Sequence, residues 1–564
     1  MENLIHEVDL CVVGGGIAGL LCAVAAARKG ISVAIMQDRP MFGGNASSEI
    51  RMHICGAHGK DNKETGIIEE LFLDNFYRNT ELKYPIWDSV MFEKALLEKN
   101  IQMFLNCSCL DCEMNGNKIV SIKGWQTTTQ RYHTIKAKYF ADCSGDSILA
   151  PLTGAEFMLG REAKSEYNES IPPEKADKKT MGMSCLLEGR ETASPKKFIP
   201  PVWAYEYPDD SCFPDVEQTV RDNFWWIELG GTMDSIGDTE EIRTELLKTA
   251  FGVWDHIKNK GDHGAENWEL DWIGFLPGKR ESRRYKGAYV ITENDVTAGG
   301  KFDDVIAYGG WTMDDHFPEG FNHKSGHPTI YHPAPSPWGI TFRSLYSKNI
   351  ENLTFAGRNI SVTHAALSSS RVMATCGILG QALGTAIADA VKENCHISKV
   401  NIHKLQQELM ADDCFIPYIK REISPLCKKA DVNFEIVRNA YERGDENLWI
   451  GHDGDYIEYT FEKPEYTDNL RIVFDSDLNR EYRQNMPCYF PLNETRFKVP
   501  KTLVKEFTVE ITDENGNTTS KTYENHQRFV RVPIGKKVTK IKLIPNSTWG
   551  SEDYRIFCVE PVGE

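Results

Sequence analysis

Cysteine is scarce, basic charge is outnumbered by acidic, and no apolar run continues unbroken for the length of a membrane span. Fifteen cysteines in 564 residues are too few for a disulfide scaffold, and an odd number cannot all pair within one chain, so reduced thiols are expected. Lys and Arg number 64 against 82 Asp and Glu, a formal net charge of −18. Such a surface repels nucleic-acid phosphates and anionic lipid head groups, so neither nucleic acid nor membrane is an expected partner, which leaves small molecules. The longest apolar stretch, residues 10–27, is interrupted by Gly14, Gly15, Gly16 and Gly19 and reads as strand, turn and helix. The first ten residues carry Glu2, Glu7 and Asp9 and lack a basic segment followed by an apolar one, so no secretory signal is expected and the cytoplasm is the expected location. Disorder, collagen and coiled coil are excluded by a composition of 41% hydrophobic, 26% charged and 10% aromatic residues, and the length favours two or more domains.

What is present begins as β-α-β: an apolar run at 8–13 ending in glycines, an Ala- and Leu-rich helical segment at 17–28, and a second apolar run at 31–36. Two parallel strands with a crossover helix imply an α/β domain. Helical spacing recurs at 64–79 and 89–98, and strands are expected at 101–105, 119–125, 132–137 and 139–142. Between 151 and 346 the pattern turns irregular, aromatic and histidine-rich, with an aromatic strand at 224–227 and a helix at 240–258 that Asp238 and Glu241 are placed to cap. This part is expected to face the substrate. The α/β pattern returns with a strand at 353–356 and a long helix at 371–393, so the division is 1–150 and 347–430 for the α/β domain, 151–346 for an inserted α+β substrate domain, and 431–564 for a last domain. In that last part six short apolar runs, one followed by the turn 514–517, indicate a β-sandwich.

Gly14-Gly15-Gly16-Ile17-Ala18-Gly19 fits the dinucleotide fingerprint in its required place, after a strand and opening a helix. Gly14, Gly16 and Gly19 permit a tight turn and close backbone approach, and the amides near Ile17 and Ala18 face a pyrophosphate at the helix N-terminus. The position ending the second strand, normally a carboxylate for the ribose, is Gln37, with Asp38 next. An amide still hydrogen-bonds a ribose hydroxyl but lacks the charge-assisted bond, which Asp38 is placed to supply.

The segment Arg39-Pro40-Met41-Phe42-Gly43-Gly44-Asn45-Ala46-Ser47-Ser48 resembles the glutathione-reductase-like FAD enzymes, in which a Gly-Gly pair here runs along the cofactor toward the flavin. Phe140-Ala141-Asp142-Cys143-Ser144-Gly145-Asp146 resembles the strand and turn that close over that cofactor, and Leu353-Thr354-Phe355-Ala356-Gly357-Arg358-Asn359 the late strand that meets the ribityl chain and pyrophosphate. The helix from Arg371, with Thr375 near its start and Gly380-Gln381-Ala382-Leu383-Gly384 beyond, resembles the one facing the flavin pyrimidine. Arg358 stands where many relatives have an Asp and is available to pair with the pyrophosphate. More narrowly, Gly43-Gly44-Asn45-Ala46-Ser47-Ser48-Glu49, Phe224-Trp225-Trp226-Ile227-Glu228-Leu229-Gly230-Gly231, Arg280-Glu281-Ser282-Arg283-Arg284, Tyr308-Gly309-Gly310-Trp311 and Gly357-Arg358-Asn359-Ile360-Ser361-Val362-Thr363-His364 are similar to a bacterial family of FAD-dependent oxidoreductases, over about residues 5–425. The resemblance implies FAD, a Rossmann-like FAD-binding domain of glutathione-reductase type and an association with carbohydrate breakdown; the last domain, a β-sandwich, itself resembles galactose-binding-like modules.

No second glycine-rich βαβ fingerprint follows, and no cysteine pair four apart follows Gly44, so a nicotinamide domain and a dithiol relay are not expected. Electrons then pass directly between substrate and flavin, and on to an acceptor the sequence leaves unspecified; a homo-oligomer is compatible with these features. Among residues the resemblance places near the ring, His364 is the preferred acid/base and Arg371 the electrostatic group, with His53 second. The preferred reaction is dehydrogenation of a secondary alcohol such as a sugar hydroxyl. The alternatives are reduction of an activated C=C bond and a glycan-binding flavoprotein without turnover. Cys107, Cys109 and Cys112, and separately His452 to Asp455, lack ligand spacing for a metal, so no metal site is expected.

Overall fold

A computed structural model of the chain describes residues 2–482, 485–494 and 497–563. The chain divides into two compact units, one formed by 1–58, 82–405 and 484–496, the other by 59–81, 406–483 and 497–564.

The first unit is mixed α/β with a Rossmann-like parallel sheet. Its strands are β1 (Asn3–Val13), β2 (Val33–Met36), β3 (Ile101–Phe104), β4 (Cys107–Asn115), β5 (Lys118–Gln126), β6 (Arg131–Asp142) and β7 (Leu353–Phe355). The parallel order is β3-β2-β1-β6, with β7 pairing in parallel to the C-terminal end of β6 while β5 pairs antiparallel to its beginning. The central strands are buried on both faces, as an all-apolar run such as that of β2 requires. The expected strands at 132–137 and 139–142 are one strand, and β4 was not anticipated, because its polar alternation hides a sheet edge.

Helix α1 (Ile17–Arg28) follows β1 through the glycine turn, and a long late helix (Met373–Lys392) packs against it. That contact is made of small residues at helical spacing: a Cβ on Gly380 would lie 2.1 Å from the Ala18 carbonyl oxygen, and one on Gly384 would lie 2.2 Å from that of Cys22. Glycine lets the two backbones touch, and the contact fixes the start of the late helix near the turn. The helix is long and apolar enough to cross a membrane by length and composition, yet its apolar surface is buried within this unit.

In the middle segment helix α2 (Thr239–Asn259) buries Ile242, Leu246, Ala250, Val253, Trp254 and Ile257 against Phe224, Trp226 and Trp268. Asp238 occupies its N-cap position without a side-chain cap; its carboxylate accepts the amide of Asp234 instead. Residues 224–227 form a turn rather than the expected strand, because Phe224 adopts a left-handed φ of 55°.

The second unit carries a seven-stranded antiparallel sheet. Two long strands, Ile457–Phe474 and Phe529–Thr548, pair along most of their length with register shifts, where separate short strands are expected from sequence. The turn at 514–517 closes a hairpin between Val504–Asp513 and Thr518–Glu524, with the Asp513 carboxylate accepting the amides of Asn515 and Asn517. The expected boundary at 431 lies inside this unit, which also takes in residues 59–81. Within it Glu69 on helix Ile67–Arg78 is buried and accepts from Lys63 at 2.9 Å and Arg480 at 2.7 Å.

Candidate active site

The C-terminal ends of β1, β2, β6 and β7 open into a cavity of about 790 Å³ lined by Val13, Met36, Cys143 and Gly357 among others. Ligands bind at this edge of a doubly wound sheet. Gly14 holds a left-handed φ of 97°, and a Cβ there would meet the Cys143 carbonyl and the Ser144 backbone at 2.5 Å. A Cβ on Gly19 would fall 1.9 Å from the Gly14 carbonyl oxygen, so Gly19 serves helix-to-turn packing and does not line the cavity. Gly16, the N-cap of α1, differs from both. A Cβ there would meet only the Gly44 Cα, at 3.9 Å, so the protein itself does not require glycine at that position.

Gly43 and Gly44 lie beside this turn with successive left-handed φ values of 106° and 58°, and the Gly43 amide donates to the Gly15 carbonyl. Asn45 lines the cavity and donates to the Lys279 carbonyl. Ala46 and Ser47 do not line it: the Ala46 carbonyl accepts from the Trp87 indole, and the Ser47 hydroxyl donates to the Gly44 carbonyl. Gln37 borders the cavity, but its side-chain oxygen accepts the Gly15 amide at 2.7 Å and so braces the glycine turn in place of a ribose. Asp38 and Arg39 remain on the rim, Asp38 exposed and Arg39 3.4 Å from Glu49.

Across the cavity Gly145, at a φ of 78°, lies under the Arg358 guanidinium, which a Cβ would strike at 2.6 Å. Arg358 donates to Asp146 at 2.8 Å, as does Lys279. Burial opposes ionisation of Asp146, but Arg358 and Lys279 outweigh it and hold the carboxyl down at about 2. Arg358, expected to face a pyrophosphate, thus spends one nitrogen on Asp146 and keeps Nε unpartnered.

The far end of the cavity is ionic. Arg371 donates through Nη2 to the Asp314 carboxylate at 3.1 Å and to its carbonyl at 3.2 Å, while its buried Nε has no hydrogen-bond partner. His316 bridges two acids, with Nδ1 2.6 Å from Glu228 and Nε2 3.2 Å from Asp314, and Arg280 stands 3.4 Å from Glu228. Burial disfavours the charge on Asp314, yet His316 and Arg371 hold its carboxyl well below the ordinary carboxylate range. Trp225 sets its ring edge-on to His316 at 5.2 Å.

His53 lines the cavity, with Nδ1 3.3 Å from the Asn223 amide nitrogen; burial pushes its pKa down to about 4. The Asn223 oxygen already accepts the Trp225 amide, so Asn223 donates to Nδ1 and the neutral ring carries its proton on Nε2. His364 is placed otherwise than expected. It is buried away from the cavity, with Nδ1 2.9 Å from Glu281 and Nε2 3.0 Å from Asp315. Burial alone would lower its pKa, but the two carboxylates raise it to about 10, so at neutral pH it is a fixed cation that exchanges no proton with a ligand. Thr375 is buried in the late helix and does not line the cavity either.

Asp314 and His316 were missed from the sequence, although alternation along Met313–His316 marks them: residues two apart share the cavity face, and Asp315 between them turns to His364. Of the arginine run only Arg280 reaches the cavity; Arg284 is buried against Glu162 and Glu281. Cys107, Ser108 and Cys109 border it in succession, so strand alternation does not sort them, and Cys112 does not. None of the fifteen cysteines is in a disulfide.

A parallel sheet, a glycine turn at a helix N-terminus and one cavity running from them to a cluster of paired charges define a dinucleotide-binding α/β enzyme. Residues 9–409 match the family described as FAD dependent oxidoreductase, so the chain belongs to that family; it is an FAD-dependent oxidoreductase and FAD is its cofactor. A curated relative, thiamine thiazole synthase of Thermotoga maritima, is 27% identical over 155 residues, which cover 25% of this chain and 58% of that protein. The match therefore spans little more than half of that relative's length. A geranylgeranyl bacteriochlorophyll reductase-like protein from Thermoplasma acidophilum shares 13% identity at a TM-score of 0.33, covering 73% of this chain and 84% of that one. A family 32 carbohydrate-binding module from Streptococcus pneumoniae shares 13% identity at a TM-score of 0.19, covering 24% of this chain and 93% of that one. The residues fit FAD on their own terms: Gly16 is open where a pyrophosphate needs backbone approach, and Arg358 keeps a buried Nε unpartnered at the cavity wall.

Proposed function

We propose that this enzyme reversibly dehydrogenates a secondary alcohol of a small molecule such as a sugar or glycoside, with a flavin domain of glutathione-reductase type and a galactose-binding-like C-terminal sandwich. FAD, when bound, supplies a two-electron hydride acceptor at N5. The observation that carries the reading is the unpartnered, buried Arg371 Nε beside the Asp314-His316-Glu228 chain. Arg371 holds the substrate oxygen through Nε as negative charge develops there, and Asp314 keeps the guanidinium aimed through Nη2. The alcohol proton passes to the hydrogen-bonded chain Asp314-His316-Glu228, which as a unit takes the role first expected of His364. His53, neutral, donates from Nε2 and orients a second substrate oxygen. Trp225 and Trp311 supply flat apolar walls suited to a sugar face and exclude water.

The test is anaerobic bleaching of the bound flavin by a panel of sugars, glycosides and simple secondary alcohols. Bleaching by at least one of these is expected, with Arg371→Met and His316→Gln slowing it by about 10²- to 10³-fold while flavin content stays at one per chain. A flavin that no alcohol bleaches, but that enoates reoxidise after dithionite, would replace the reading with a C=C reductase.

A further inference from the structure

The middle segment holds a second constellation outside the flavin cavity. His256 lies in the last turn of α2, His263 just beyond it, and Asp210 in the short turn Asp210–Cys212; none of the three lines the cavity. The ligand atoms of these three converge to within 4.8 Å of one another. His256 Nδ1 is 2.9 Å from the Tyr207 carbonyl and His263 Nδ1 is 3.0 Å from the Gln218 carbonyl. A carbonyl only accepts, so each Nδ1 donates to it and each Nε2 is turned toward the cluster. The two Nε2 atoms face each other at 3.1 Å, and Asp210 Oδ1 lies 2.9 Å from one and 3.8 Å from the other. Two imidazole nitrogens and a carboxylate oxygen thus converge on one point, each imidazole held from behind by a backbone carbonyl.

From this geometry we infer that Asp210, His256 and His263 bind one zinc ion. Ligands about 2.0–2.1 Å from a tetrahedral zinc stand about 3.3 Å apart, and the observed separations of 2.9, 3.1 and 3.8 Å bracket that spacing. Two imidazole nitrogens select a borderline transition metal over calcium or magnesium, which take oxygen shells. Carbonyls behind both Nδ1 atoms are the outer contacts that orient metal-bound imidazoles. Three protein ligands leave the fourth position to water, on the side where the Asp210 side chain is 70% exposed. The site is absent from the sequence reading because Asp210 lies 46 residues before His256, so no short ligand motif exists. The site stands outside the flavin cavity. It ties the 207–212 and 218–223 stretches to the end of α2, and the second of these carries Asn223, which touches His53 at the cavity.

Full-length, FAD-loaded protein tests this. Elemental analysis of protein purified without added metal is expected to give one zinc per chain. Removing it with a chelator is expected to lower Tm by several degrees, with zinc restoring it. Cobalt added to the stripped protein is expected to give a visible d–d band without a thiolate charge-transfer band, and the double variant Asp210→Asn/His263→Gln to bind cobalt more than about a hundredfold more weakly. Asp210 is exposed and His263 partly buried against His256, and retained flavin content reports that the variant is folded. X-ray absorption of the zinc-loaded wild type, expected to show two imidazoles and no sulfur, decides the matter should the variant misfold. Stripped protein that takes up neither metal at micromolar concentration, a variant that binds as the wild type does, or sulfur in the zinc shell would each overturn the assignment.

Discussion

At the glycine end of the cavity the protein works with its backbone, and at the Arg371 end with paired side-chain charges. Gly14, Gly43 and Gly44 act through left-handed φ values and Gly16 through its missing Cβ alone, properties that belong to one residue type wherever it stands. Arg371, Asp314, His316 and Glu228 act only as a set, with Glu228 lying 88 residues before His316. The first kind of site is a local property of the chain; the second exists once folding has brought the partners together.

Four substitutions and one control sharpen or break this contrast. The largest effect is expected at Gly14→Ala, which adds a Cβ 2.5 Å from backbone at a φ of 97°. Strain and overlap together cost several kcal/mol, on the order of 1–2 for the conformation and 1–3 for the overlap, and the purified chain is expected to carry no flavin absorbance. Gly30→Ala, at a φ of 88° with open space around it, serves as the control and is expected to retain full flavin content.

Next comes Gly16→Ala. Its Cβ meets no protein atom closer than 3.9 Å, so the Tm of the apoprotein is expected to stay within a degree or two of wild type while FAD affinity falls by at least about tenfold. Equal loss of Tm and affinity would show that Gly16 is needed by the fold and not by the cofactor.

His364→Gln removes a buried cation from between Glu281 and Asp315 and is expected to cost about 3–5 kcal/mol in chemical denaturation. Because its folded pKa of about 10 lies above the ordinary value of 6.5, the His364 contribution is complete below pH 6.5 and is lost as pH rises through 10. Wild-type Tm is therefore expected to fall over that window, and the fall to shrink in the variant. Were the variant as stable as wild type yet unable to reduce its flavin, the histidine would regain the acid/base role.

The smallest effect is expected at Lys60→Ala, whose partner Asp445 is as exposed as the lysine itself. No measurable change in Tm is expected, in contrast to the buried Lys63-Glu69 pair of the same unit.

The glycine turn, α1, the late helix, the Gly-Gly pair and the Asp142–Asp146 turn were legible because each rests on local rules: periodicity, positive φ and helix termini. Gln37 shows the limit of that legibility. It is expected at the ribose and does border the cavity, but its oxygen is taken by the Gly15 amide, a choice no spacing reveals. The residues at 224–227 illustrate it again, since their strand-forming composition yields to the left-handed φ that Phe224 adopts in the folded chain.

By itself the sequence determined the dinucleotide fold, because turns and helix starts are set by residues within a few positions of one another. Which histidine faces the ligand was decided by the tertiary structure alone. His364 and His316 are chemically identical and each stands between two carboxylates, and only the packing of Met313–His316 against the late part of the chain puts one in the cavity wall and closes the other in the interior.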